Sequence, residues 1–251
     1  MASWLRDLLG LLLPVECAGC GRDDVAWCPR CAGRLDGVPW RCENRAPRLD
    51  RMDGGGPLPV WTLADCTGDV RRAIIAWKDR GRADLGPHFA RAIAGQARYV
   101  AAELASVAPL AVVPAPSTAA SRRRRGGNLV DTLASGVVAG LGDAGVRSEM
   151  APVLRRARGD DQVGLGARDR ARNLAGRLWV PDGRVRAVAG RAVVLVDDVL
   201  TTGATLAVSR SAVERAGGIV VAGLTLASTP RPGHAPRLPP HPAVRPSDAP
   251  G

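Results

Sequence analysis

Apolar residues gather into short runs along the chain, and the period of each run predicts an element. Leu8–Leu13, leading into Pro14-Val15-Glu16, reads as a short amphipathic helix that packs on the cysteine-bearing segment after it. Ala111–Val113 and Ala192–Val196 are continuous apolar runs, the pattern of strands buried in a parallel sheet. Helical patterns cover Asn128–Ala139 and about Ala204 to Ala216. Buried strands that alternate with helices predict an α/β domain. Gly140-Leu-Gly142-Asp-Ala-Gly145 has the letters of a dinucleotide-binding loop, but it follows a helix rather than a strand. It reads as a helix stop and turn.

Polar stretches divide the chain. Glu43–Pro59 is polar with three consecutive glycines and reads as a linker. Pro230–Gly251 holds eight prolines and few large apolar side chains, so it predicts a disordered tail. The expected division is an N-terminal helix with a zinc-ribbon-like module over 1–45, a linker over 46–59, a larger α/β domain over 60–229 and the tail over 230–251. No run approaches the roughly 20 apolar residues of a membrane span. Asp7 beside Arg6, and the lack of a small-residue cleavage site, set Leu8–Leu13 apart from a signal peptide. These features predict a cytoplasmic protein.

Composition changes the picture in two places. Among 251 residues, 35 Lys+Arg face 24 Asp+Glu, a net charge of +11 that favours phosphate-bearing partners, small molecules or nucleic acid alike. Lysine occurs once, at Lys78, within Trp77-Lys78-Asp79. All six cysteines lie in the first 66 residues. Cys17-x2-Cys20 and Cys28-x2-Cys31 are two knuckles that can turn four thiolates onto one Zn²⁺, a closed and therefore structural site. Cys42 and Cys66 have no partner by spacing and read as plain buried thiols. A P-loop needs Gly-Lys-Ser/Thr, which the single lysine excludes; neither G-x-S-x-G nor H-E-x-x-H occurs.

The stretch Arg191-Ala-Val-Val-Leu-Val-Asp197-Asp198-Val-Leu-Thr201-Thr202-Gly203-Ala204-Thr205-Leu206 carries the chemistry. A buried strand ends in two carboxylates, where ligands bind in open α/β sheets, and a loop of small and hydroxyl residues opens a helix. Such a loop lets backbone N–H groups and the helix dipole meet a phosphate, with hydroxyls of Thr201, Thr202 and Thr205 adding hydrogen bonds. Adjacent carboxylates accept from a vicinal diol. Together these features describe a site for a ribose 5-phosphate.

This stretch resembles the 5-phosphoribosyl 1-diphosphate (PRPP) motif of type I phosphoribosyltransferases. The resemblance implies a parallel sheet flanked by helices, with Asp197 and Asp198 on the ribose hydroxyls and Thr201, Thr202, Gly203, Ala204 and Thr205 around the 5-phosphate. It implies Mg²⁺ with the PRPP. Some purine enzymes of that class carry an aspartate base in this loop; Thr201 stands there, so the motif supplies no acid–base residue. A wider match runs through the cysteine knuckles, Lys78, Val112-Val-Pro-Ala-Pro116, an arginine-rich turn ending Gly127-Asn128, Gln162, Arg170 with Asn173, and finally Asp197-Asp198. In that order these features look like the ComF family, linked to competence for DNA uptake and to DNA metabolism. Arg125-Gly126-Gly127-Asn128-Leu129 departs from the Arg-Gly-Phe-Asn-Gln usual in that family. By the same resemblance Ser117, Arg122, Arg123, Arg124, Arg125 and Lys78 would face the pyrophosphate, and the arginine-rich Leu154–Arg177 would close over the substrate. Two function classes remain open: phosphoribosyl transfer to an unknown acceptor, or a non-catalytic PRPP sensor or scaffold that binds single-stranded DNA or a DNA-processing protein.

Overall fold

The computed structural model describes residues 15–50, 56–116, 129–157, 178–231 and 233. Its centre is a six-stranded sheet in the order β1 (Trp40–Arg41), β2 (Val60–Asp65), β8 (Ile219–Ser228), β7 (Ala192–Leu200), β3 (Leu110–Pro114), β4 (Ser148–Met150). The edge strand β1 runs antiparallel to β2, and all other neighbours are parallel. A two-stranded antiparallel ribbon, β5 (Arg155–Arg156) with β6 (Leu178–Trp179), stands apart from it. The fold is α/β, as expected, and both apolar runs are central strands.

Helices cover both faces because consecutive strand residues point to opposite sides. Leu110, Val112, Val194 and Val196 belong to one core layer with α2 (Gly68–Asp79), α3 (Gly86–Leu104) and α4 (Leu129–Asp143). Ala111, Val113, Val193 and Leu195 belong to the other, under α5 (Ala204–Arg215). The cysteine knuckles, with a one-turn helix α1 (Pro29–Ala32), share the first layer rather than standing off from it. Trp27 meets Phe89 edge-on at 5.8 Å, and Phe89 meets Trp77 at 5.2 Å. The Arg82 guanidinium donates to the carbonyls of Glu16 and Ala26, both at 3.0 Å.

The glycine motif at 140–145 ends a helix in a turn, as expected, although the helix continues past Ala139: α4 runs on to Asp143, and the turn falls at Gly145, whose φ is +76°. A Cβ on Gly136 or Gly140 would run into the backbone carbonyls of Ala90 or Ala94, so these glycines let α3 and α4 approach closely. One expectation needs correction: the described parts of the segment expected as a polar linker are packed. Turns at Glu43–Arg45 and Pro47–Leu49 bury Ala46 and Leu49, and Leu58 joins the same layer beneath α5. The Leu8–Leu13 helix falls outside the described residues, as do residues 234–251 of the proline-rich tail.

Candidate functional site

The chain leaves β3 through α4 toward one edge of the sheet, and leaves β7 through α5 toward the other, on opposite faces. Between these two diverging strands an open α/β sheet has its crevice. Asp197 and Asp198 lie near the C-terminal end of β7, beside that crevice. Alternation along β7 puts Asp198 on the face of Val196, toward α2, and Asp197 on the face of Leu195, toward α5.

Lys78, in the last turn of α2, reaches Asp198 with Nζ 2.8 Å from Oδ2. Burial works against the Lys78 ammonium, but the charge of Asp198, a hydrogen bond to it, and the charge of Asp197 outweigh that cost and raise its pKa. It stays charged. Asp197 is pushed up to about 7, first by burial and then by the negative charge of Asp198. The Asp198 N–H, which donates to Asp197 Oδ1 at 2.9 Å, and the Lys78 charge oppose that shift. One acid is therefore paired, and the other is poised near neutrality with acceptor capacity to spare.

The loop after β7 is held from outside. Thr201 and Thr202 are exposed, whereas Gly203 is buried with φ +80°. A Cβ at 203 would lie 2.8 Å from Leu49 Cγ and 2.9 Å from Ala46 Cβ, so glycine is required both by conformation and by space. The Arg48 N–H donates to the Thr202 carbonyl at 3.3 Å, and the Thr229 N–H to the Leu200 carbonyl at 2.8 Å. Thr202 Oγ1 accepts from the Ala204 N–H at 3.4 Å, and Ala204 and Thr205 are half-buried in the first turn of α5. That turn offers backbone N–H groups that no intrahelical carbonyl can take, at the positive end of the helix dipole.

Ser117 and Arg122–Arg125 lie outside the described residues, as do Gln162, Arg170 and Asn173. Their approach is visible: the Ala115 N–H donates to the Val196 carbonyl at 2.8 Å, so the chain enters 117–128 beside Asp197. Two participants were not anticipated. Cys66, just past β2, has its thiol pKa raised by burial first; Arg71 and Lys78 oppose the shift, while Asp198 adds to it, which places the thiol among the site's charges. Arg45 bridges the ends of two strands through an ion pair with Asp65 and a 2.9 Å hydrogen bond to Ser228 Oγ. An apolar run ending in Asp65-Cys66-Thr67-Gly68 was the available signal, but its neighbours come from distant segments.

Cys17, Cys20, Cys28 and Cys31 converge, with their sulfurs all within 4.8 Å of one another. Zn–S bonds of about 2.3 Å set tetrahedral sulfurs about 3.8 Å apart; Cys20 and Cys28 Sγ are 3.6 Å apart. Gly19 makes the convergence feasible, because a Cβ there would sit 2.8 Å from Cys31 Sγ. Burial raises the Cys17 thiol, but N–H groups of Cys28, Cys20 and Gly19 outweigh it and bring the group down to about 6. Burial and the neighbouring thiols push Cys31 far up. The geometry and donor set are those of a structural zinc site. Cys42 is fully buried, and burial raises its thiol to about 12, in keeping with an inert core residue.

No protein-family model matches the chain, and no curated protein sequence matches it. A solved structure of the allosteric regulatory enzyme of purine biosynthesis is similar at 19% identity and a TM-score of 0.32, over 54% of this chain and 25% of that one. This chain thus spans about a quarter of that protein's length. No helix among the described residues is long and apolar enough to cross a membrane.

Proposed function

We propose that the crevice at the end of β7 binds PRPP or a related ribose 5-phosphate, in a cytoplasmic protein of the ComF type with a type I phosphoribosyltransferase-like fold. The observation that carries this reading is the pairing of Asp197 and Asp198 with a loop fixed at Gly203 and opening α5, at the sheet's switch point. Asp197 and Asp198 take the ribose hydroxyls, and Thr201–Thr205 surround the 5-phosphate. Lys78 holds Asp198 in the ligand-free state and stands close enough to the acids to reach a diphosphate when that pair opens. Ser117 and Arg122–Arg125, which follow β3 in the sequence, supply donors for the departing pyrophosphate. Mg²⁺ arriving with PRPP would neutralise part of the diphosphate charge, and Zn²⁺ on the four cysteines would hold the knuckle.

In transfer, the bond from the ribose anomeric carbon to pyrophosphate breaks while the acceptor's lone pair bonds to that carbon. The acceptor's proton has no base in the loop, because Thr201 occupies that place. That observation favours the second reading, a PRPP-binding sensor or scaffold tied to DNA uptake or DNA metabolism, whose arginines meet single-stranded DNA or a DNA-processing partner. A thermal-shift titration with PRPP and Mg²⁺ tests the site. The melting temperature of the wild type should rise with ligand, and that of an Asp197→Asn/Asp198→Asn variant should not; equal shifts, or none, would sink the proposal. Gel shifts across a salt series test the second reading, since binding through phosphates weakens steeply with salt.

A further inference from the structure

A second cleft, of about 520 Å³, opens between the cysteine knuckle and the outer face of α3, away from the acids of β7. His88, Ala92, Gly95 and Tyr99 recur along α3 at helical spacing and form one wall. The two small residues in the middle leave a trough about 16 Å long. Val38 and Pro39, after the knuckle, form the other wall, over Trp27 and Leu63. The floor holds Gln96, which is fully buried. Its Nε2 donates to the Thr225 carbonyl at 3.3 Å, which fixes the amide's orientation, and its Oε1 has no partner among the described residues. A buried acceptor left open costs free energy unless a donor arrives. At the rim Arg98 is held by Asp143 at 2.9 Å. Arg91 stands exposed, with no ion-pair partner among the described residues. Asp36 also lines the rim and keeps it from being purely cationic.

We infer that this cleft is a binding site for a nucleoside monophosphate, separate from the site on β7. The flat base lies in the trough between Val38 and Ala92, its amine donates to Gln96 Oε1, and its phosphate meets Arg91. The volume suits a ligand of that size, and a donor at one end with an anion at the other matches the order of floor and rim.

Calorimetry on the zinc-loaded full chain tests this, with AMP, adenosine, and the purine riboside 5′-phosphate that lacks the exocyclic amine as probes. AMP should bind with one site per chain, and both analogues should bind roughly tenfold or more weakly, each lacking one strong hydrogen bond. Arg91→Ala should weaken AMP by a similar factor. Gly95→Leu should abolish binding while the protein stays folded, because a Cβ there meets only the end of Arg98 at 3.7 Å. The Asp197→Asn/Asp198→Asn variant should bind AMP as the wild type does, which separates this inference from the reading of the β7 site. No binding of AMP at millimolar concentration, binding indifferent to Gly95→Leu, or binding lost in the double aspartate variant would each overturn it.

Discussion

The cysteine cluster and the acid pair both crowd groups that repel one another when ionised, and they resolve the conflict in opposite ways. Four sulfurs close on a single point, with Cys17 inclined to ionise and Cys31 held back by burial and its neighbours. One divalent ion would satisfy all four and leave no open position, which would make that region a staple. At β7 only half the conflict is settled. Lys78 neutralises Asp198, and Asp197 is left near neutrality beside an exposed loop. Groups left in that state are the ones a ligand can complete. On the proposed reading, closure makes the first region structural, and incompleteness leaves the second open to a ligand.

The contrast can be broken most forcefully at the staple. Removing zinc with a chelator, or replacing Cys31 by Ser, should forfeit on the order of 10 kcal/mol of site energy. Because the knuckle shares its core layer with α2 and α3, near-UV dichroism should report loss of packing around Trp27, Phe89 and Trp77 as well. Unchanged melting after chelation would show that the cluster is no staple. At the loop, Gly203→Ala should cost roughly 3 kcal/mol, combining strain with overpacking. Gly190 also has positive φ, +70°, but nothing lies within 4 Å of its Cβ position. Gly190→Ala should therefore cost only about 1 kcal/mol, and Leu49→Ala should partly rescue Gly203→Ala. Denaturant unfolding measures all three.

A smaller effect sharpens the other side. Asp197 binds a proton in the folded chain that the unfolded chain releases near its ordinary value of 3.8. The stability this gives is fully present below about pH 4 and is lost as pH rises toward 7. Wild-type stability should therefore fall relative to Asp197→Asn over that window, by about 2 kcal/mol once the roughly 4 kcal/mol set by the shift is discounted for solvent reaching a part-exposed carboxylate, read from paired unfolding curves. A flat difference would mean that Asp197 ionises like an exposed acid. Lys78→Met should cost least, about 1 kcal/mol after screening of a partly exposed pair. It should also move the apparent midpoint of the Asp197 titration upward, a change carbonyl-region NMR can follow.

Legibility in the sequence tracks the range of each interaction. The strand, acid pair, loop and α5 are consecutive, so an apolar run, two carboxylates and a glycine placed them within a residue or two at the helix; β7 only ran further, to Leu200. The cysteines were legible by spacing alone. What escaped depends on distant chain. Lys78 was singled out as the lone lysine, but its partner is 120 residues away. Ala46 and Leu49 sit in a polar stretch that has the look of a linker until the bare Cα of Gly203 meets them. Gly136 and Gly140, four apart, had the small-residue spacing of a close helix contact, obscured by the overlapping glycine motif that begins at Gly140.

Whether the unsettled acid pair and its loop form a ribose 5-phosphate site is decided by calorimetric titration of PRPP with Mg²⁺ into the zinc-loaded protein. One site per chain is expected, with affinity reduced about a hundredfold or more in Asp197→Asn/Asp198→Asn, since two charge-assisted hydrogen bonds are lost together. The variant's near-UV dichroism should stay intact. No binding by the wild type, or equal affinity in the two proteins, would refute the assignment.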